Sequence, residues 1–298
     1  MIPGKYDTEA MLAIMSWKTA RESGPTGLSN PLRASLARAG EAVFDAPVIG
    51  SALQGVLSAL NHVCNEMAQL SLRPQAIFAE FRQEGYGAIE SLEDIARLPL
   101  ENIDRCVGRL DVKYKGLALA EGVTAGLTGM AGLALDIPSL VLLNLRAIGE
   151  YATYYGFDIV SYEERLFALQ ILCLVTAPAG AAKQLAMAQL RGIIQDTVKQ
   201  RTWRQLEQHA TVKMIRGLAQ TLGIRLTKAK LAQTLPLIGA ALGGGYNLAL
   251  TAKVCDAAYH TYRERFLVRR FGARITSITQ DRHEAGPVAA LGPPESVD

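Results

Sequence analysis

The stretch Gly116–Leu145, GLALAEGVTAGLTGMAGLALDIPSLVLLNL, decides the fold of this chain. It carries Gly116, Gly122, Gly126, Gly129 and Gly132, and a second stretch, Leu231–Ala252, carries Gly239 and Gly243-Gly244-Gly245. A glycine inside a helix costs about 1 kcal/mol relative to alanine, so such a helix persists where close packing compensates. Small residues let helix backbones approach, in a protein core or in lipid. The pattern predicts an antiparallel hairpin at the centre of a bundle. One arm runs from Lys113 to about Ala131, the turn is Gly132–Asp136, and the second arm opens at Asp136-Ile137-Pro138 and ends at Tyr155, with Gly156 as a left-handed stop.

Outward from that hairpin every periodic segment reads as helix. Asp7-Thr8-Glu9 opens one that runs to about Arg21. Asp45-Ala46-Pro47 opens another, with Val48, Ala52, Val56, Ala59 and Val63 at helical spacing. Pro74 starts a short helix carrying Ile77, Phe78 and Phe81, and Ser91-Leu-Glu-Asp94 caps the next. Ser161-Tyr-Glu-Glu164 has the form of a capping box, and the helix it opens is apolar nearly all round to Thr176. Thr234-Leu-Pro236 opens the last long helix, closed by Gly272. No run of alternating β-branched residues is present, so the fold class is all-α: a single multi-helix bundle with the Gly-rich antiparallel hairpin at its core. The expected divisions are an N-terminal helical extension (1–44), the helical domain (45–275) and a disordered tail (276–298).

Charge is unevenly spread. Of the 298 residues, 31 are Lys or Arg and 28 Asp or Glu, but residues 80–164 hold seven basic and fourteen acidic side chains, whereas residues 165–298 hold eighteen and eight. An acidic face could dock a basic face inside the fold, or the basic part could seek an anionic partner. Cys64, Cys106, Cys173 and Cys255 are too dispersed for a disulfide framework or a zinc knuckle and read as reduced core residues. The N-terminus shows no secretory signal, which gives a cytoplasmic expectation.

Ala120-Glu121-Gly122, Asp136-Ile137-Pro138, Asn144-Leu145-Arg146, Tyr155-Gly156-Phe157-Asp158 and Glu163-Glu164-Arg165 resemble the EcsC protein family. Leu235–Ala240, Gly243-Gly244 and Asn247 resemble that family's C-terminal block, so the likeness spans roughly residues 45–272. It implies a largely helical, bacterial-type protein without an established activity. The family takes its name from an operon whose other members are parts of an ABC transporter.

Folding the hairpin about residue 134 places Glu121 beside Arg146 and Glu150. Charges inside apolar helices must be paired, so a Glu121–Arg146–Glu150 cluster is expected, within a wider polar set of Asp136, Asn144, Asp158, Glu164 and Asn247. If the protein is an enzyme, a hydrolase, Glu121 or Glu150 is the candidate base. Arg146 argues against that chemistry, because an adjacent cation leaves a carboxylate a weak base. No Glu-x-x-His pair, His-Glu-x-x-His, nucleophile elbow or phosphate-binding loop is present, so no metal and no cofactor are expected. The basic stretch Lys183–Lys230 has Trp203 as its one aromatic, which speaks against nucleic acid.

Leu231–Ala252 is long enough to cross a bilayer but is poor in Leu and Ile. Tyr262–Phe271 mixes Arg265, Arg269 and Arg270 with Phe266 and Phe271, a pattern suited to the headgroup layer. The expected function is a non-catalytic, cytoplasmic accessory protein, peripheral at the inner membrane surface, in contact with lipid or a membrane protein such as an ABC transporter. Alternatives are the hydrolase and an oligomerisation or partner-docking module; the last predicts an exposed apolar patch on a Gly-rich face.

Overall fold

The computed structural model describes residues 2–23, 54, 58, 72–125, 133–178, 180–198, 217, 224, 239–272, 274, 275 and 277. The helices along them are α1 (Lys5–Ser23), α2 (Pro74–Gln83), α3 (Leu92–Arg97), α4 (Leu100–Val107), α5 (Leu110–Ala125), α6 (Leu133–Tyr154), α7 (Tyr162–Thr176), α8 (Ala181–Val198) and α9 (Gly239–Phe271). No strand occurs among the described residues. The fold is an all-α bundle.

Its axis is α9, whose 33 residues make a rod about 50 Å long at 1.5 Å per residue. α5 packs most extensively on α9, and α6, α7, α8 and α1 also lie against it. α7 is enclosed nearly all round, with Leu166, Phe167, Leu169, Ile171, Leu172 and Leu174 buried. α1 is part of this packing: Ala10, Met11 and Ile14 are core residues.

Local signals act largely as the sequence predicts, with two changes. Ser91 and Asp94 exchange both capping bonds at the start of α3. At α7, Ser161 accepts from the Glu164 amide at 3.3 Å, but the Glu164 carboxylate is engaged elsewhere, so only half of that box forms. α6 begins at Leu133 and takes Pro138 into its interior, three residues earlier than Asp136 as a start would have it. The centre of the predicted hairpin, residues 126–132, and residues 231–238 of the second Gly-rich stretch lie outside the described residues, as do Cys64 and nearly all of the tail.

Among the described residues, the glycines that face a close approach lie outside the two Gly-rich stretches. A methyl group on Gly116 or Gly245 would meet nothing within 4 Å. On Gly149 it would lie 2.7 Å from Leu72 Cδ1, the residue that seats the chain ahead of α2 on α6. Gly156 has φ +73° and a Cβ there would lie 2.8 Å from Leu92 O. This glycine ends α6 in a Schellman turn, Phe157 N–H bonding to Ala152 O at 2.8 Å and Gly156 N–H to Thr153 O at 3.0 Å.

Gly156→Ala should therefore cost about 1–3 kcal/mol, while Gly116→Ala in an open helical position should be neutral or stabilise by up to about 1 kcal/mol. Urea unfolding of the two variants beside the wild type measures both.

Candidate functional site

Three consecutive charged residues of α9, Arg263, Glu264 and Arg265, are all buried. Successive helix positions point about 100° apart, so each reaches a different neighbour. Arg263 meets Asp104 of α4 through Nε at 2.8 Å and Nη2 at 2.7 Å. Glu264 takes Lys18 of α1 at 2.5 Å. Arg265 meets Glu164 of α7 at 2.6 Å, its guanidinium 4.4 Å from the Phe157 ring centre and 4.2 Å from that of Phe167. Two of these pairs join the acidic middle of the chain to its basic end, so part of the charge asymmetry is spent inside the fold.

The next arginines of the same helix bond to backbone carbonyls. Arg269 donates to Gly156 O and Tyr155 O, both at 2.8 Å, and stacks over Phe157 at 4.1 Å. Burial, and then the neighbouring Arg265, pull its guanidinium down to about 10, which leaves it charged at neutral pH. Arg270 donates to Leu98 O. Phe266 and Phe271 are core residues. Of the residues expected at a headgroup layer, Arg265, Phe266 and Phe271 are core residues, whereas Arg269 is exposed and Arg270 half-buried, each bonded to backbone carbonyls of the protein.

A cleft of about 310 Å³ opens between α4, α5, α6 and α9, lined by Asp104, Asp111, Lys115, Tyr151, Cys255 and Asp256 among others. Each carboxylate in it already has partners. Asp104 accepts from Tyr6 at 2.8 Å and Tyr155 at 2.7 Å besides Arg263. Burial nevertheless raises its carboxyl above the usual range, against the pull of Arg263 and the two phenols. Asp111 holds Lys115 at 2.6 Å. Asp256 accepts from Trp17 Nε1 at 2.8 Å and lies 3.4 Å from His260 Nδ1, whose ring stacks on Trp17 at 4.7 Å. Burial pushes the Cys255 thiol up to about 12, so it is no nucleophile at neutral pH. No group of His, Cys, Asp and Glu suited to a metal ion occurs among the described residues.

The predicted polar set is partly brought together. Glu150 is paired with Lys113 at 2.6 Å and lies 3.9 Å from Arg146, which is half-exposed. Of the expected cluster, Arg146 and Glu150 are brought together, and Lys113 is a further cation on Glu150 that spacing about residue 134 did not include. Glu121 is half-buried. Asp158 is exposed and caps a turn, accepting from Val160 N–H at 3.0 Å. Glu164 belongs to the Arg265 pair. Asn144 and Asn247 are fully buried. The side chain of Asp136 lies outside the described residues.

One surface is apolar where the fold leaves it uncovered. Val112, Leu117 and Leu119 of α5 and Leu142 of α6 are between 43% and 57% exposed, and Gly116 and Ala120 between them are exposed too.

Removing one side of the Arg265–Glu164 pair strands a charge in the core. Arg265→Met or Glu164→Gln should each cost about 3–5 kcal/mol, and the double variant less than the sum; a double-mutant cycle by chemical unfolding reads this. For Asp104, a folded-state pKa raised above the unfolded value means its proton stabilises the native state. That contribution is complete below pH 3.8 and is lost as pH rises through the elevated value. Wild type should therefore lose stability relative to Asp104→Asn across that rise, measured as unfolding midpoints from pH 4 upward.

The sequence matches the EcsC protein family over residues 11–267. It is 28% identical over 181 residues to "Uncharacterized protein YdbA" of Bacillus subtilis (strain 168), covering 61% of this chain and 64% of that protein, slightly under two thirds of its length. To "Protein EcsC" of the same organism it is 26% identical over 196 residues, covering 65% of this chain and 76% of that one. No solved structure matches. With the family match running from α1 to α9, the chain belongs to the EcsC protein family.

Proposed function

We propose that this protein is a non-catalytic accessory protein of the cytoplasmic membrane face that docks through the outer face of α5 onto helices of a membrane protein. The observation that carries the reading is the uncovered strip of Val112, Leu117, Leu119 and Leu142. Gly116 and Ala120 sit between these side chains as a shallow floor, and small residues at such a place admit a partner helix closely. An exposed patch on a Gly-rich face is what a docking module requires. Charges beside the strip largely balance, since Glu150 holds Lys113 and approaches Arg146, so the contact is apolar in character. No helix among the described residues is long and apolar enough to cross a membrane, so this attachment is made from outside the bilayer.

The hydrolase alternative draws no support from the geometry. Glu150 is held by two cations, and neither Glu121 nor Glu150 lines the cleft.

Cell fractionation tests the reading. Wild-type protein should stay with membranes through a high-salt wash and leave them in carbonate, and Leu117→Glu with Leu119→Glu should move it to the soluble fraction with its helical circular dichroism unchanged. A wild type found wholly in the soluble fraction, or released by salt alone, overturns it. If the soluble wild type is a dimer that the double variant dissolves, the face belongs to a second copy of this chain.

A further inference from the structure

α6 is enclosed on almost every side. From Ile137 to Tyr154 three residues are exposed, Ser139, Leu142 and Arg146, at spacings of three and four that set them on one edge of the helix. Glu150 continues that edge by a further turn, and Lys113 of α5 closes on it at 2.6 Å. The edge of α6 that reaches solvent therefore borders α5, beside the uncovered Val112, Leu117 and Leu119. The Tyr114 phenol, on the buried side of α5, responds to both neighbours: burial and then Glu150 raise it above its ordinary value, and Arg146 opposes them.

The charges along this edge fall one carboxylate short. Lys113 takes Glu150 Oε2, and Arg146 Nε stands 3.9 Å from Oε1, beyond hydrogen-bond reach. Among the described residues no other carboxylate lies within 4 Å of Arg146. The arginines of α9 are placed differently: Arg263 and Arg265 each close on a carboxylate, at 2.7 Å and 2.6 Å. An exposed arginine on a polar surface is satisfied by water. Arg146 instead shares a narrow opening with Leu142, one turn away on the same edge. A partner that covers Leu142 and the α5 side chains covers this guanidinium too, and a desolvated cation is tolerated only when an anion meets it.

The chemistry of the face selects that anion. One uncommitted cation is too few for a lipid surface, where attraction is built from a cluster of Lys and Arg. A guanidinium fork matches a carboxylate in a two-bond pair, and the floor at Gly116 and Ala120 admits a helix. We propose that the docked partner helix presents an Asp or Glu to Arg146 while its apolar face covers Val112, Leu117, Leu119 and Leu142. The proposal rests on the docking function given above and adds the partner's chemistry to it. Such a pair fixes the register of the docked helix and rejects helices that bring a cation to the same place.

Rebinding to membranes tests it. Membranes from cells that make the protein are stripped with carbonate, and purified full-length variants are titrated onto them. Arg146→Glu should bind more weakly than wild type by about tenfold or more, with Arg146→Gln between the two and the helical circular dichroism of both unchanged. Blocking the membrane carboxylates with a carbodiimide and ethanolamine should weaken wild type to the level of Arg146→Gln and leave Arg146→Gln itself unaffected. Protein-free phosphatidylglycerol vesicles should not bind wild type. Equal binding of wild type and Arg146→Glu overturns the proposal, and so does blocking that weakens Arg146→Gln as much as wild type. Wild-type binding to the vesicles that Arg146→Glu abolishes also overturns it, since the guanidinium would then meet lipid phosphate. Absence of wild-type rebinding, or unchanged binding by Leu117→Glu with Leu119→Glu, sinks the docking function itself and this proposal with it.

Discussion

Charge burial at Arg263-Glu264-Arg265 is the constraint on which the rest of the structure depends. Three adjacent ionic side chains cannot all be enclosed unless partners stand on three sides of the helix, and α4, α1 and α7 supply them. The desolvation cost of such ions is several kcal/mol each and is recovered only in good geometry with further hydrogen bonds. Asp104 has that geometry, collecting two phenols besides its guanidinium; Arg265 lies between two aromatic faces, with its Nε, like Glu264 Oε2, buried and unbonded. An apolar core would tolerate rotation of α9 or sliding by a turn. Ionic partners in three directions do not, so the pairs fix both the rotation and the height of the central rod.

How far the sequence discloses this can be judged residue by residue. Helix existence, and many of the ends, were legible because caps and stops are local: Ser91, Gly156 and Pro74 act where they stand. The role of Tyr262–Phe271 was not. A helix that alternates arginine with phenylalanine reads the same whether its cations meet phosphates or enclosed carboxylates, and the partners lie 101 and 159 positions away. Gly116 and Gly245, which face open space, show a related point. Glycine content states that a close approach is permitted, and only the neighbour states that one occurs, as Leu72 does at Gly149. The expected start of the second arm came from a local signal, Asp136-Ile137-Pro138, which looks like a helix start but lies inside a helix that has already begun.

The candidate site was legible in its residues and not in its assembly. Asn144, Asn247 and Glu150 stood out as polar positions in apolar helices. What the sequence lacked was that the first two are fully buried while the third is paired with Lys113. Cleft residues such as Cys255 and Asp111 carried no signal, because a thiol and a carboxylate at ordinary helical positions acquire meaning only from what the packing sets opposite them. Their chemistry is subdued: burial holds the thiol protonated, and ion pairing occupies Asp111.

The contact between α1 and α9 carries a kinetic consequence. Trp17 and Lys18 meet Asp256 and Glu264 across 239 and 246 positions of chain, and nearly every other helix also rests on that last rod. During synthesis α1 and α5 emerge with apolar faces whose main partner, α9, is made only much later in the chain. Long-range closure of this kind slows folding and lengthens exposure to aggregation. Truncation near the end would remove the centre of the molecule, and a cell making this protein has reason to shelter it until the last helix arrives.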